Sequence, residues 1–401
     1  MTTRRADPAR WTSPVLFESG INPVNPWDQV VSAPDFPGHD LIWVDTRGAG
    51  RSDGALDCPA IASYPAQFNA FALQSDAVTA VRACMASFAA GNVPVASIYD
   101  HSVAASDLVA VRRALGIDHW AVATRTGSAD IAIRLAAIDG RAITAIIARS
   151  PEVPGTGDSA NTLAGMFDRF STDCTAAPSC AAVGDPRTIA AAALARVKTP
   201  VKTSTTETGT GVPIVLDDIN IQAGIRAAMH DTALAPALPG LIAGVANADA
   251  AADNAIAGYF NTYIPSTDTI DLAINCQNGD YGFPGIEHTA DDHGGIFVGF
   301  ALRQWCAQLG PMPQYTPVPA VNSDVRVLVV LPSYALGSSE SNAKSIFAGF
   351  ANTTIVSVPG IVDPIAQIPD CFWTTTSAFI AATGSDVDTS CLTSPAQTTL
   401  K

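Results

Sequence analysis

Five short apolar runs constrain this chain more than any other feature: Leu41–Val44, His119–Ala123, Ala142–Ile147, Val325–Leu331 and Thr354–Pro359. Each is rich in Val, Ile or other apolar residues and bounded by glycine, proline or polar residues, the pattern of strands buried on both faces. Helical spacing fills the intervals. Residues 68–90 and 103–115 carry it first, with Leu108, Val111 and Leu115 on one face and Arg112 and Arg113 on another. Asp130–Ile138 and a stretch around Asn342–Phe350 carry it later. Strands alternating with helices predict an α/β fold, a mostly parallel sheet flanked by helices.

The alternation breaks after Ser150. Pro151, Pro154 and several glycines lead into an alanine-rich region, 160–310, with helical spacing and no comparable strand run. It reads as a helical cap or lid, with the threonine-rich stretch Thr203–Thr210 as a loop inside it. The expected organisation is an N-terminal core part over 1–150, a cap over 151–318 and a C-terminal core part over 319–401.

Charge narrows the partners. Twenty-two Lys and Arg against 37 Asp and Glu give a net charge of −15, a field that repels phosphate backbones and anionic lipid. Neither nucleic acid nor a membrane is an expected partner, and no apolar stretch approaches the roughly 20 residues of a spanning helix. Oligomeric state is open. The segment Met1–Trp11 has a basic start without the apolar section of a signal peptide, which predicts a cytoplasmic protein if Met1 is the native start. The eight cysteines point the other way, to a secreted protein whose signal segment was removed. They read most simply as four consecutive local pairs among the 105 pairings that eight cysteines allow. None stands in a zinc-type spacing, so no metal is expected.

The segment Val44-Asp-Thr-Arg-Gly-Ala-Gly-Arg-Ser52, with Leu56-Asp-Cys-Pro59 after it, resembles the α/β-hydrolase superfamily, and within it the proline-iminopeptidase and secreted tripeptidyl-aminopeptidase branch. Ala105-Ser-Asp-Leu108, Arg113–Trp120 and the cysteine pairs extend the resemblance over residues 13–395. It implies an α/β-hydrolase core with a helical cap. The chain before the Gly-rich loop Ser19–Asn25 is short for the family, so the first sheet strands are expected to be missing or reduced.

The chemistry departs from the family at three places. The nucleophile elbow Gly-x-Ser-x-Gly reads Thr124-Arg-Thr-Gly-Ser128 here, with Thr126 at the nucleophile position. The acid position after the next-to-last strand falls on Ala335, and the position of the family histidine falls on Asp363. Chain order adds a check, because the triad runs Ser, then Asp or Glu, then His, yet no histidine occurs after His293. A literal Gly50-Arg-Ser-Asp-Gly54 does occur, but it leads into no helix, so Ser52 reads as structural.

Several residues remain as candidates. Thr126 is either a nucleophile with a base beside it or a hydroxyl that binds substrate. Arg125 is either ion-paired or a fixed charge for an enolate or oxyanion. Asp363 caps a turn before Pro364, or serves as a general base whose pKa burial raises. Tyr334 stands at a pocket rim or donates to a substrate carbonyl. Backbone N–H groups of Gly20, Ile21, Asn22 and Gly127 are the expected oxyanion donors. Glu287-His-Thr-Ala-Asp-Asp-His293 reads as a solvated loop, because its histidines miss the i, i+4 pairing of zinc helices. Asp100 and His101 form an acid/imidazole pair at a helix start, where Asp100 suits capping, and Asp45 and Arg47 are expected to pair within their turn.

Together these readings predict a cofactor-independent, non-hydrolytic enzyme of specialised metabolism. It would bind a bulky, largely apolar small molecule between core and cap, with Asp363 as base and Thr126 and Tyr334 orienting. The alternatives are a pseudoenzyme that binds a ligand or peptide, and a residual peptidase or esterase.

Overall fold

The computed structural model describes residues 2–4, 13–18, 36, 38–47, 52, 79–80, 82–84, 86, 100–153, 163–181, 183–207, 211–217, 220–230, 235–262, 316–335, 339–361, 368–384 and 386–394. Among the described residues, seven strands form the main sheet: β1 (Thr2–Arg4), β2 (Val15–Glu18), β3 (Leu41–Trp43), β4 (Trp120–Arg125), β5 (Ile143–Arg149), β8 (Ser323–Pro332) and β9 (Phe350–Val358). Their order is β1-β3-β2-β4-β5-β8-β9; β1 runs antiparallel at one edge and the remaining neighbours are parallel. The first strands are short but present, with β2 paired on both sides, between β3 and β4. The Val-Leu-Phe run that forms β2 is too brief to register as a periodic signal.

Period-2 alternation divides the strand side chains between two cores. Val122, Ile146, Val327 and Val329 point to the face covered by helices α1 (His101–Ala114) and α2 (Ala129–Asp139). Ala121, Ala123, Ile147, Leu328 and Val330 point to the other, packed with Phe372, Trp373 and Phe379 of α10 (Pro369–Ala381). Both faces are dry, which explains why the strands read as continuous apolar runs. Helix α1 starts where Asp100 accepts from the Ser102 N–H at 2.7 Å, as an N-cap should, and gives way to Gly116 at φ +66°. Arg112 near its end pairs with Asp139 at the end of α2, at 2.7 Å.

Between the adjacent strands β5 and β8 lies a helical region with its own core: α3 (Leu163–Ala176), α4 (Pro178–Ala181), α5 (Pro186–Val197), α6 (Asn220–His230), α7 (Leu238–Ala246) and α8 (Ala250–Thr262). A Cβ on Gly224 of α6 would fall 2.5 Å from the Ile256 carbonyl oxygen of α8, so this close crossing requires glycine. The stretch expected as a loop is in part a strand. Val201–Thr206 forms β6 and pairs antiparallel with β7 (Pro213–Leu216). Threonine is β-branched and favours strands, and the buried Thr203 hydroxyl donates to the Ile214 carbonyl at 2.8 Å. After β8, α9 (Glu340–Ile346) is shorter than the helical spacing suggests, because β9 begins at Phe350.

Among the described residues, two of the four expected local disulfides are seen with both partners, Cys174–Cys180 and Cys371–Cys391. Cys84 is also disulfide-bonded; Cys58, Cys276 and Cys306 lie outside the described residues. Among the described residues no helix is long and apolar enough to cross a membrane.

Candidate active-site turn at the carboxyl edge of the sheet

In open α/β sheets ligands bind beyond the carboxyl ends of the strands. At that edge β4 ends at Arg125, a single 3₁₀ turn covers Thr126–Ser128, and α2 begins at Ala129. Ser128 closes the turn. Its hydroxyl accepts from the Arg125 N–H at 2.9 Å and donates to the Arg125 carbonyl at 2.7 Å, with the side chain buried. Ser128 is thus a residue whose side chain satisfies the backbone on both sides. Gly127 is exposed, lies outside the left-handed region, and has nothing within 4 Å of where a Cβ would stand. A 3₁₀ turn keeps right-handed dihedrals, unlike the strained elbow that lifts a nucleophilic serine. Arg125 is partly buried; of the Thr126 side chain nothing is described.

A buried ionic cluster joins the starts of α1 and α2. Asp130, fully buried, accepts from Arg134 Nε at 2.5 Å through one oxygen and contacts His101 Nδ1 at 2.5 Å through the other. Arg134 also donates to the Ser102 hydroxyl at 2.8 Å and to the Thr316 carbonyl. His101 therefore pairs with Asp130 across the helices, while its neighbour Asp100 is occupied in capping. The i, i+4 spacing of Asp130 and Arg134 was visible in the sequence, but their convergence on His101 required the α1–α2 packing.

The third component is the loop after β8. Ala335, the residue that the resemblance puts at the acid position, is buried. Tyr334 is 1% exposed, so it is no rim residue; it stacks edge-on against Phe170 of α3 and donates to Asp173 Oδ2 at 2.6 Å. A phenol has one proton to give, and this one goes to the protein. Burial and the neighbouring Asp173 carboxylate push the Tyr334 pKa well above its ordinary value. Arg169 of α3 donates to the carbonyls of Ser333 at 2.5 Å and Ala335 at 3.2 Å. Neither Arg169 nor Asp173 was singled out by sequence, because each acts on a loop more than 160 positions away.

Asp363 and the Gly20, Ile21 and Asn22 backbone lie outside the described residues, as does the 287–293 cluster. The Asp-x-Arg-Gly turn is held differently from expectation. Arg47 reaches Asp107 of α1, donating from Nε at 2.5 Å, because the turn at the end of β3 packs beside that helix. Ser52 donates to the Asp45 carbonyl at 2.6 Å, the structural role expected of it. A groove of about 1010 Å³ is lined by Gly140, Arg141, Asn322, Asp324, Arg326 and Asn352 among others. It opens at the amino ends of β5, β8 and β9, opposite the β4 turn, and so away from the edge where this class of sheet binds ligands.

Sheet order and the strand–turn–helix unit define an α/β-hydrolase-like fold. No protein-family model matches the chain, and no curated protein does. Among solved structures, an α/β-hydrolase enzyme from a Medee basin deep-sea metagenome library is similar at 11% identity and TM-score 0.42, over 96% of this chain and 94% of that one. A proline iminopeptidase from Mycobacterium smegmatis is similar at 11% identity and TM-score 0.41, over 94% and 93%. An enol-lactonase from Burkholderia xenovorans LB400 is similar at 11% identity and TM-score 0.38, over 95% and 96%. The strand order and the β4–α2 unit define the fold.

Proposed function

We propose that the chain is a cofactor-independent, non-hydrolytic enzyme that abstracts a proton beside a carbonyl of a bulky, largely apolar small molecule. The carbanion would go on to C–C bond formation, cyclisation or oxygen addition, within specialised metabolism. The observation that carries this reading is the β4–α2 turn, a 3₁₀ turn closed by Ser128; on the sequence resemblance Thr126 of that turn takes the nucleophile position, in a chain with no histidine after His293. Acyl-enzyme chemistry needs an activated nucleophile with a base beside it. Proton abstraction needs only a base and a polarised oxygen.

In this reading Asp363 takes the proton and Arg125 stabilises the enolate. The N–H groups of Gly20, Ile21, Asn22 and Gly127 add to that stabilisation, and Thr126 orients the substrate. Tyr334, whose proton is committed to Asp173, leaves the orienting role and supports the pocket wall. The small molecule lies between the sheet edge and the helical insertion.

The test has two parts. Fluorophosphonate labelling and turnover of aminoacyl and acyl-ester chromogens should both be negative; stoichiometric label on one hydroxyl overturns the reading in favour of a residual hydrolase. Exchange of α-protons in D₂O, followed by NMR over a panel of aryl ketones and β-diketones, should be catalysed and fall by about 10²-fold or more in Asp363→Asn. Ligands that bind without exchange would make the protein a binder.

A further inference from the structure

We propose that α3, the first helix of the insertion, is a permanently seated wall of the molecule and not a flap that lifts from the sheet. Two sets of contacts run in opposite directions across its junction with the β8 loop. From the helix, Arg169 donates to the Ser333 and Ala335 carbonyls at 2.5 and 3.2 Å. From the loop, Tyr334 donates to Asp173, one helical turn further on, at 2.6 Å. Phe170, between those two positions, stacks on the Tyr334 ring with centroids 5.6 Å apart, and both rings are buried. A buried tyrosine needs a partner for its hydroxyl, so lifting α3 would expose two aromatic rings and break a charge-assisted bond in the same event.

The loop that receives α3 is itself fixed to the sheet. The Ser333 N–H donates to the Val358 carbonyl and the Tyr334 N–H to the Ile361 carbonyl, both at 3.0 Å. The Gly360 N–H, at φ +68°, donates to the Ser333 hydroxyl at 2.8 Å. On the far side, Cys174 follows Asp173 and closes the end of α3 onto Cys180. Segments that open locally have few buried contacts and solvated hydrogen bonds; α3 has the reverse. Its opening is therefore tied to that of β8, and any ligand passage uses other faces of the insertion. This holds whether the protein is an enzyme or a binder.

Native-state hydrogen exchange on the full chain, with disulfides intact and over low denaturant, tests it. Amides of Phe170–Cys174 should open with the same free energy as those of Val327–Val330. In Tyr334→Phe, and in Asp173→Ala at an exposed position expected to fold, α3 exchange should rise about ten-fold relative to β8. The double variant should add little to either single change. The proposal is overturned if wild-type α3 opens separately, roughly a hundred-fold more readily than β8, or if Asp173→Ala leaves the ratio of α3 to β8 exchange unchanged.

Discussion

The turn after β4 and the loop after β8 stand at the same edge of one sheet and are stabilised in different ways. The first is closed from within three residues, by the Ser128 hydroxyl bonding both backbone groups of Arg125. The second is closed from a distance, by Arg169 and Asp173 of the inserted helix. A locally closed turn keeps its shape whatever its neighbours do, whereas the β8 loop, bonded along β9, also depends on the helix that grips it from above. The turn after β4 is thus self-contained, and the loop after β8 is an anchoring point for the inserted helix.

The largest effect should come from beneath the β4 turn. Asp130→Ala strands buried Arg134 and His101 without their shared carboxylate, and breaking a buried pair costs about 3–5 kcal/mol. Urea unfolding should show that loss in the midpoint; a loss under about 1 kcal/mol would mark the cluster as solvated. The disulfides Cys174–Cys180 and Cys371–Cys391 come next and sharpen the contrast between sheet and insertion. Cys371–Cys391 spans 20 positions and Cys174–Cys180 six, so replacing each pair by serine should cost about 3 and about 2 kcal/mol respectively by loop entropy. Thermal melts of the two double variants test the order.

Ser128→Ala should then cost about 1–2 kcal/mol, because two backbone groups lose their partner, while α3 keeps its wild-type exchange rates. If α3 loosened as well, the two sites would be coupled and the contrast between local and distant closure would fail. The smallest effect concerns pH. Tyr334 holds its proton more tightly in the folded state than in the unfolded chain, so its contribution is full below the unfolded value of about 10 and declines as pH rises above it. Tyr334→Phe should flatten the fall in stability above about pH 10 relative to wild type, as read from urea midpoints across that range.

What could be read from sequence follows the same division. The five strands Leu41–Val44 through Thr354–Pro359 were legible because burial on both faces makes them continuous apolar runs, and Asp100 was legible as a cap because capping is local. Strand β6 was not, since its threonines satisfy strand geometry without apolar signal and Thr203 finds its partner only once β7 is beside it. His101 was misassigned to its neighbour Asp100, because the pairing with Asp130 exists only when two helices start side by side. Tyr334 read as a pocket-rim residue or a donor to substrate because nothing local indicates that Phe170 and Asp173 will close over it. Arg47 showed a charge but not its partner on α1.

Cys371–Cys391 also has a mechanical consequence. The covalent bond shunts tension past α10 and the residues after it, so a pull applied at the C-terminal end reaches β9 without unravelling that helix. At about 3.5 Å per extended residue, roughly 70 Å of contour stays hidden under load. Arg326 of β8 holds the carbonyls of Phe379 and Gly384 at 2.7 and 3.0 Å; both carbonyls lie inside the shunted segment, so this grip carries no load while the disulfide is intact. Reducing the bond would release that length in one step and put the full force on the guanidinium's grip.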